Sequence, residues 1–333
     1  IKDCEATDSG GGIYATGGTI NLTNCNLRGC KAINGGGIRL YKSSGGDATL
    51  IISGGEIGGV WAGEPNTAIG TSGNGGGISV EGGSCTVTLK DVAKITGNTA
   101  NNGGGVYASG GTVNITGCTI AGNTGTIAGG GICALANGST PARVTINGGV
   151  IGGTSTSEAN TTGSSGKGGG IFVSGTNSAV TLLGTANVIG NTTDHEGGGI
   201  FVDTGSVLNM KGSAIVTPST GGDANAPRKN DVYLMDGCKI KLSETLSGAV
   251  PVARITPATY ASTTQVLTGG AVGTEHVKFT VTPKTVSGVK QEWTIKNDGY
   301  LQKSPVTING SDTDAWTKLK TEVENSSGSA KIT

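Results

Sequence analysis

A glycine triplet followed by isoleucine or valine recurs along the first 200 residues, and this repeat constrains the fold more than any other feature. The triplets begin at Gly10, Gly35, Gly75, Gly103, Gly129, Gly168 and Gly197. Triplets three places apart in this series are separated by 93 or 94 residues, which indicates that a unit of three repeats has been duplicated. Such periodicity is typical of a solenoid, in which each repeat buries its apolar side only by stacking on its neighbours.

The residues after each triplet alternate between two inward positions and one outward position. The first inward column contains Ile13, Ile38, Ile78, Val106, Ile132, Ile171 and Ile200. The second contains Ala15, Leu40, Val80, Ala108, Ala134, Val173 and Val202. Stacked coils would align these side chains about 4.8 Å apart. We therefore predict an all-β fold, a right-handed parallel β-helix with three short strands per coil, an irregular β cap and a short C-terminal helix.

The pattern divides the chain into three segments. Residues 1–230 contain the triplet coils, and residues 231–305 lack triplets and predict the irregular β cap. Residues 306–333 predict a linker and a short amphipathic helix, because Trp316, Leu319 and Val323 follow helical spacing. A helix of this kind often precedes a β-helix, so we expect the native chain to continue into a further one.

The outward column between the two inward ones is rich in aromatic residues, namely Tyr14, Tyr107, Phe172 and Phe201. Two interpretations are open: a platform for a sugar or a partner chain, or a face covered by other segments. Two polar inserts, at residues 60–74 and 154–167, extend the middle coil of each duplicated unit. Trp61 and Glu64 make the first insert a candidate binding loop, although both inserts could also be simple surface decoration.

Charge and cysteine content exclude several classes of partner. The 23 basic and 23 acidic residues balance, and without a basic cluster we expect no nucleic-acid binding. No apolar run is long enough for membrane insertion by this segment. The seven cysteines are scattered without a close pair, which favours small buried side chains over disulfides and predicts no metal site and no cofactor.

The triplets alternate with a second motif, "ITGNT" at Ile95, "IAGNT" at Ile120 and "VIGNT" at Val188. This pairing resembles the motifs of chlamydial polymorphic outer-membrane proteins and, more broadly, of bacterial surface proteins with parallel β-helix repeats, over roughly residues 1–230. The resemblance implies an adhesin-like or structural role outside the cell or on its surface. This chain carries isoleucine or valine where the second motif of that family has an aromatic residue.

Catalysis is left open but not favoured, because acidic residues are sparse and no Asp or Glu occurs between Val92 and Ser157. The best candidates for acid–base chemistry are Asp194, His195 and Glu196, which could equally form a solvated turn. We therefore expect a non-enzymatic solenoid whose partner is a glycan or a protein on a host or neighbouring cell. The alternatives are a polysaccharide lyase or hydrolase of the β-helix class and a surface fibre that forms by self-association.

Overall fold

The computed structural model describes residues 1–42, 46–219, 224 and 230–305. Within them, short strands from successive coils pair in parallel and form four sheets that run along the chain. This arrangement confirms the all-β parallel β-helix. We name the sheets A to D in the order in which a coil passes through them, and each coil by the first residue of its strand in sheet A.

Sheets A and B are the two longest sheets. Sheet A comprises Ile13–Ala15, Ile38–Tyr41, Ile78–Glu81, Val106–Ser109, Ile132–Leu135, Ile171–Ser174, Ile200–Val202, Val232–Leu234, Ala253–Pro257 and Phe279–Val281. Sheet B comprises Gly18–Thr23, Ala48–Ser53, Thr86–Lys90, Thr112–Thr116, Arg143–Asn147, Ala179–Leu183, Val207–Gly212, Ile240–Leu246 and Leu267–Thr268.

Sheets C and D complete the coils. Sheet C comprises Asn26–Leu27, Glu56–Gly58, Lys94–Thr96, Thr119–Ala121, Val150–Gly152, Asn187–Ile189 and Ile215–Val216. Sheet D comprises Lys31–Ala32, Thr67–Ala68, Thr99–Asn102, Thr124–Ala128 and Thr161–Thr162. Five coils therefore contain four strands, and the expectation of three strands per coil was wrong for them. Gly122, at positive φ, and Asn123 turn the chain between the third and fourth strands of the Val106 coil.

The core is the predicted pair of inward columns, closed by the inward side chains of sheets B and C. Ile38 pairs in register with Ile78, which pairs with Val106, and all three side chains are fully buried. Only Ile13 of the first column remains partly exposed, because no described coil lies beyond it. Register is fixed because a shift by one residue would turn every inward aliphatic side chain toward solvent.

The triplets are glycine because coils approach one another closely at this turn. Gly75 adopts φ +66°, which disfavours any side chain. A Cβ atom at Gly76 would lie 2.5 Å from the carbonyl oxygen of Gly104 in the next coil. The same crowding recurs at each step of the stack, which explains why the triplet accompanies every early coil.

A ladder of buried asparagines runs along the turn between sheets C and D. Each side-chain amide except the last donates to the Oδ1 atom of the next asparagine at 2.9–3.1 Å, and that Oδ1 also accepts the backbone N–H of the preceding ladder residue at 3.0–3.2 Å. The members are Asn66, Asn98, Asn123, Asn160, Asn191 and Asn230. Because these amides satisfy buried backbone groups that no strand pairs, the ladder ties the coils together along their length.

Parallel stacking continues beyond residue 230, into the segment expected to form the cap. Sheet A extends through Val232–Leu234 and Ala253–Pro257 to Phe279–Val281. A four-residue α-helix, Val272–Glu275, and the 3₁₀ turn His276–Lys278 precede that last strand. Two antiparallel hairpins follow, Lys284–Val286 with Val289–Gln291 and Trp293–Ile295 with Leu301–Lys303. The helix expected near Trp316 lies outside the described residues.

Candidate functional site

The aromatic residues singled out from the sequence lie in one outward file of sheet A. We define the outward file as the outward-facing residues that pair in register between the two inward columns. The file consists of Tyr14, Arg39, Ser79, Tyr107, Cys133, Phe172, Phe201 and Tyr233. The exposure of these side chains to solvent differs between the beginning, the middle and the end of the file.

The middle of the outward file is covered. Tyr107 is only 9% exposed, and Cys133 is fully buried. Both pack with Ala128, at the end of the last long strand of sheet D, and with Leu135 and Phe172. Burial raises the pKa of Tyr107 to about 12 and also raises the pKa of the Cys133 thiol. Tyr107 therefore offers little ring surface to a ligand, and Cys133 is shielded as a nucleophile.

Phe172, Phe201 and Tyr233 form a continuous ring stack. The ring centroids of Phe172 and Phe201 are 5.4 Å apart, and those of Phe201 and Tyr233 are 5.1 Å apart. Phe201 is 1% exposed because a ring covers each of its faces and the Lys167 ammonium lies 4.8 Å from its centroid. Tyr233 was not predicted as a member of this column because the triplets stop before its coil, although the alternation around Val232 and Leu234 carries the same signal.

The three candidates for acid–base chemistry lie beside this stack. His195 Nδ1 contacts the Glu196 carboxylate, and Lys167 Nζ is 3.9 Å from Glu196 Oε2. Burial raises the pKa of Tyr233, and the charge of Glu196 contributes to the shift. The fold thus brings Glu196 close to the predicted binding residue Phe201, since the Lys167 ammonium contacts both of them. Asp194 lies exposed on the same turn.

The beginning of the outward file is open to solvent. Tyr14 is 50% and Tyr41 is 40% exposed. The Arg39 guanidinium lies between them, with its Cζ atom 6.0 Å from the Tyr14 centroid and 4.8 Å from the Tyr41 centroid. Arg39 is oriented by two hydrogen bonds to Glu81, at 3.0 and 3.1 Å, and a further one to Ser9. Two accessible rings on either side of a fixed cation form the most exposed aromatic group of this face.

The first insert places its two candidate residues in different roles. Trp61 is 74% exposed. Glu64 instead binds Arg28, with 2.6 Å between Nη1 and Oε1, and the same guanidinium contacts Glu56 at 3.0 Å. The corresponding residue of the second insert, Glu158, accepts hydrogen bonds from the backbone N–H and the hydroxyl of its own turn. Both glutamates hold the shape of their turns, and Trp61 is the candidate residue of the first insert that faces solvent.

Several classes of site find no support within the described ranges. These residues include no group of three or more His, Cys, Asp or Glu side chains arranged to hold a metal ion. None of the described helices is long and apolar enough to cross a membrane. All seven cysteines are free, and five of them are buried, as expected for small apolar side chains.

Comparison with known proteins gives no relative. No protein-family model, no curated protein and no solved structure matches the chain significantly. The chemistry of the chain's own surface is therefore the basis for inferring its function.

Proposed function

We propose that this protein is a non-enzymatic, adhesin-like surface solenoid that acts outside the cell and binds a glycan on the outward face of sheet A. The observation that carries the proposal is the exposed group of Tyr14, Arg39 and Tyr41. Aromatic rings bind the apolar faces of sugars, and exposed aromatic groups of this kind usually mark interaction sites. A protein partner that presents a similar surface is the alternative ligand.

The shape of the molecule supports this role. Parallel sheets fixed by the asparagine ladder make a rigid support, and residues on a rigid support lose little conformational freedom when a partner binds. Resemblance of the triplet and "GNT" motifs to bacterial surface repeats agrees with an extracellular location. Self-association through sheet edges is a separate route to function, and it would appear as fibres whose growth requires no glycan.

A second candidate function is polysaccharide cleavage, favoured by the contact between His195 and Glu196 beside an aromatic stack. A glutamate–histidine pair can transfer a proton. Glycoside hydrolysis, however, requires two carboxyl groups on opposite sides of the bond, and Glu196 is already engaged by His195 and Lys167. Binding without cleavage is therefore the better-supported proposal.

The test is incubation of the protein with immobilised neutral and acidic polysaccharides, with and without Ca²⁺, while retention and new chain ends are both measured. We expect retention without new chain ends, and loss of retention in a Tyr14→Ala variant. The comparison variant is Trp61→Ala, at the candidate residue of the first insert, which is 74% exposed against 50% for Tyr14 and should retain binding if the site lies on sheet A. If new chain ends appear with the wild type and are absent with a Glu196→Gln variant, the protein is a catalyst and not only a binding protein. If the protein is not retained on any polysaccharide, the proposal is refuted.

A further inference from the structure

A cleft beside Tyr41 has the composition of a sugar subsite. Its volume is about 510 Å³, within the usual range of ligand pockets, roughly 300–1,000 Å³. Tyr41 and Lys42 of the Ile38 coil form one wall, and the turn from Asn137 to Thr140 of the Ile132 coil forms the other. The floor is the turn from Glu81 to Ser84, in the Ile78 coil.

Unequal turn lengths create this cleft. In the Val106 coil the strand of sheet A ends at Ser109 and the strand of sheet B begins at Thr112, so only two residues connect them. The longer turn of the Ile132 coil folds over that short connection, because a Cβ atom at Gly110 would lie 3.0 Å from Cβ of Asn137. It reaches the floor, where a Cβ atom at Gly83 would lie 2.6 Å from Cγ2 of Thr140. The cleft is therefore fixed by packing between coils.

One polar atom in the cleft is unsatisfied. Ser84 Oγ is buried and has no hydrogen-bond partner in the described part of the chain. A buried hydroxyl without a partner costs roughly 1–3 kcal/mol, and a change of the Ser84 rotamer that turns Oγ toward a ligand in the cleft would remove this cost. Across the cleft, the exposed side-chain amide of Asn137 can donate and accept.

The charges around the cleft balance. Both oxygens of Glu81 accept hydrogen bonds from Arg39, at 3.0 and 3.1 Å, and Ser79 donates to Oε1 at 2.8 Å. Lys42 lies 3.8 Å from Asp47. Because each cation already faces a carboxylate, the cleft has no surplus positive charge for a uronate or a sulfated sugar.

We propose that this cleft binds one neutral hexopyranose unit of a glycan. The apolar face of the sugar stacks on the Tyr41 ring, while its hydroxyl groups bond to the exposed Asn137 amide and, once the Ser84 side chain changes rotamer, to Ser84 Oγ. This assignment rests on the proposed glycan-binding function and adds to it the position of the subsite and the neutral class of sugar. The ligand would thereby satisfy the one orphaned hydroxyl of the floor.

The experiment measures affinity of the full chain for neutral tetrasaccharides of glucose, galactose and mannose, with a galacturonate oligomer as the acidic probe. We expect at least one neutral probe to bind, and Tyr41→Ala to weaken it by about tenfold or more. Ser84→Ala, which removes only a hydroxyl without a partner, should also weaken binding without lowering the thermal midpoint of the free protein. Binding should change little as salt increases, since no ion pair with the ligand is screened.

Matched controls are Tyr300→Ala, on the last hairpin, and Ser53→Ala, on the outer side of sheet B. If a neutral sugar binds and neither cleft variant weakens it, the subsite is wrong while the glycan-binding function stands. If only the galacturonate oligomer binds, and does so in a salt-dependent manner, the neutral class is wrong. If no glycan in this panel or on immobilised polysaccharides binds, both proposals are refuted.

Discussion

Replacing Asn123 by alanine tests whether the asparagine ladder holds the coils together. Oδ1 of Asn123 accepts hydrogen bonds from the backbone N–H and the side-chain amide of Asn98, each at 3.0 Å. Its own amide donates to Ile95 O and Asn160 Oδ1, each at 2.9 Å, and to Ala121 O at 3.1 Å. The Asn123→Ala substitution removes all five bonds of this side chain inside a fully buried part of the molecule.

The expected loss of stability follows from these contacts. The Asn98 N–H keeps no acceptor, which costs roughly 1–3 kcal/mol. The Asn98 amide still donates to Ile57 O at 2.9 Å, so its loss is smaller. Because Ile95 O and Asn160 Oδ1 each also lose one donor and a small cavity forms, we expect the free energy of unfolding to fall by about 3–5 kcal/mol.

The assay is denaturant unfolding followed by circular dichroism for the wild type, Asn123→Ala and an Asn114→Ala control. Midpoints are compared with one common value for the dependence of the free energy of unfolding on denaturant concentration. Asn114 lies on the outer side of sheet B, where its loss should change stability by at most about 0.5 kcal/mol. If Asn123→Ala shifts the midpoint no more than this control, the ladder does not stabilise the stack and the argument fails.

Three further predictions concern the outward file and the inserts. Phe201→Ala should lower the free energy of unfolding by about 3–5 kcal/mol, since the ring is buried between two others, and a denaturant shift below about 1 kcal/mol would contradict the stack. Hydrogen bonds from the backbone and hydroxyl of Ser155 hold the pKa of Glu158 below its usual value. The ionised carboxylate therefore stabilises the folded turn at every pH above the pKa of Glu158 in the unfolded chain. This stabilisation is lost as the pH falls through the lower pKa of Glu158 in the folded protein. An NMR titration should show a higher Glu158 pKa in Ser155→Ala, and equal values would refute the cause. Burial raises the pKa of the Cys133 thiol, so alkylation of the native protein near pH 8 should label the partly exposed Cys25 and spare Cys133; equal rates by mass spectrometry would contradict the described burial.

The inward columns could be predicted because the triplets mark one position in every early coil. Counting from a triplet assigns Ile38 and Leu40 inward and Arg39 outward, and the paired register agrees. The fourth strand could not be predicted, because it depends on a turn at Asn123 whose side chain bonds to other coils. The "GNT" motif contains that asparagine, but its burial is set by residues tens of positions away.

Which residues of the outward file are covered by other segments could also not be predicted from the sequence pattern. Whether Phe201 is exposed depends on Tyr233 and Lys167, which reach it from neighbouring coils. Alternation assigns a side chain to a face of the sheet and contains no information about what lies over that face. The same limit applies to the cleft, since it arises from differences in turn length between coils rather than from any motif.

The asparagine ladder also sets a rule for how the gene of such a protein can change length. Each ladder asparagine needs the asparagine of the next coil as its hydrogen-bond acceptor. A deletion that removes part of a coil therefore interrupts the row of amides, whereas removal or gain of entire coils leaves it intact. The duplicated unit of 93 or 94 residues obeys this rule, because Asn66 and Asn160 occupy equivalent positions in its two copies. The length of the solenoid therefore changes by whole coils. Recombination between the repeats can lengthen the molecule without altering the surfaces of the coils that are already present.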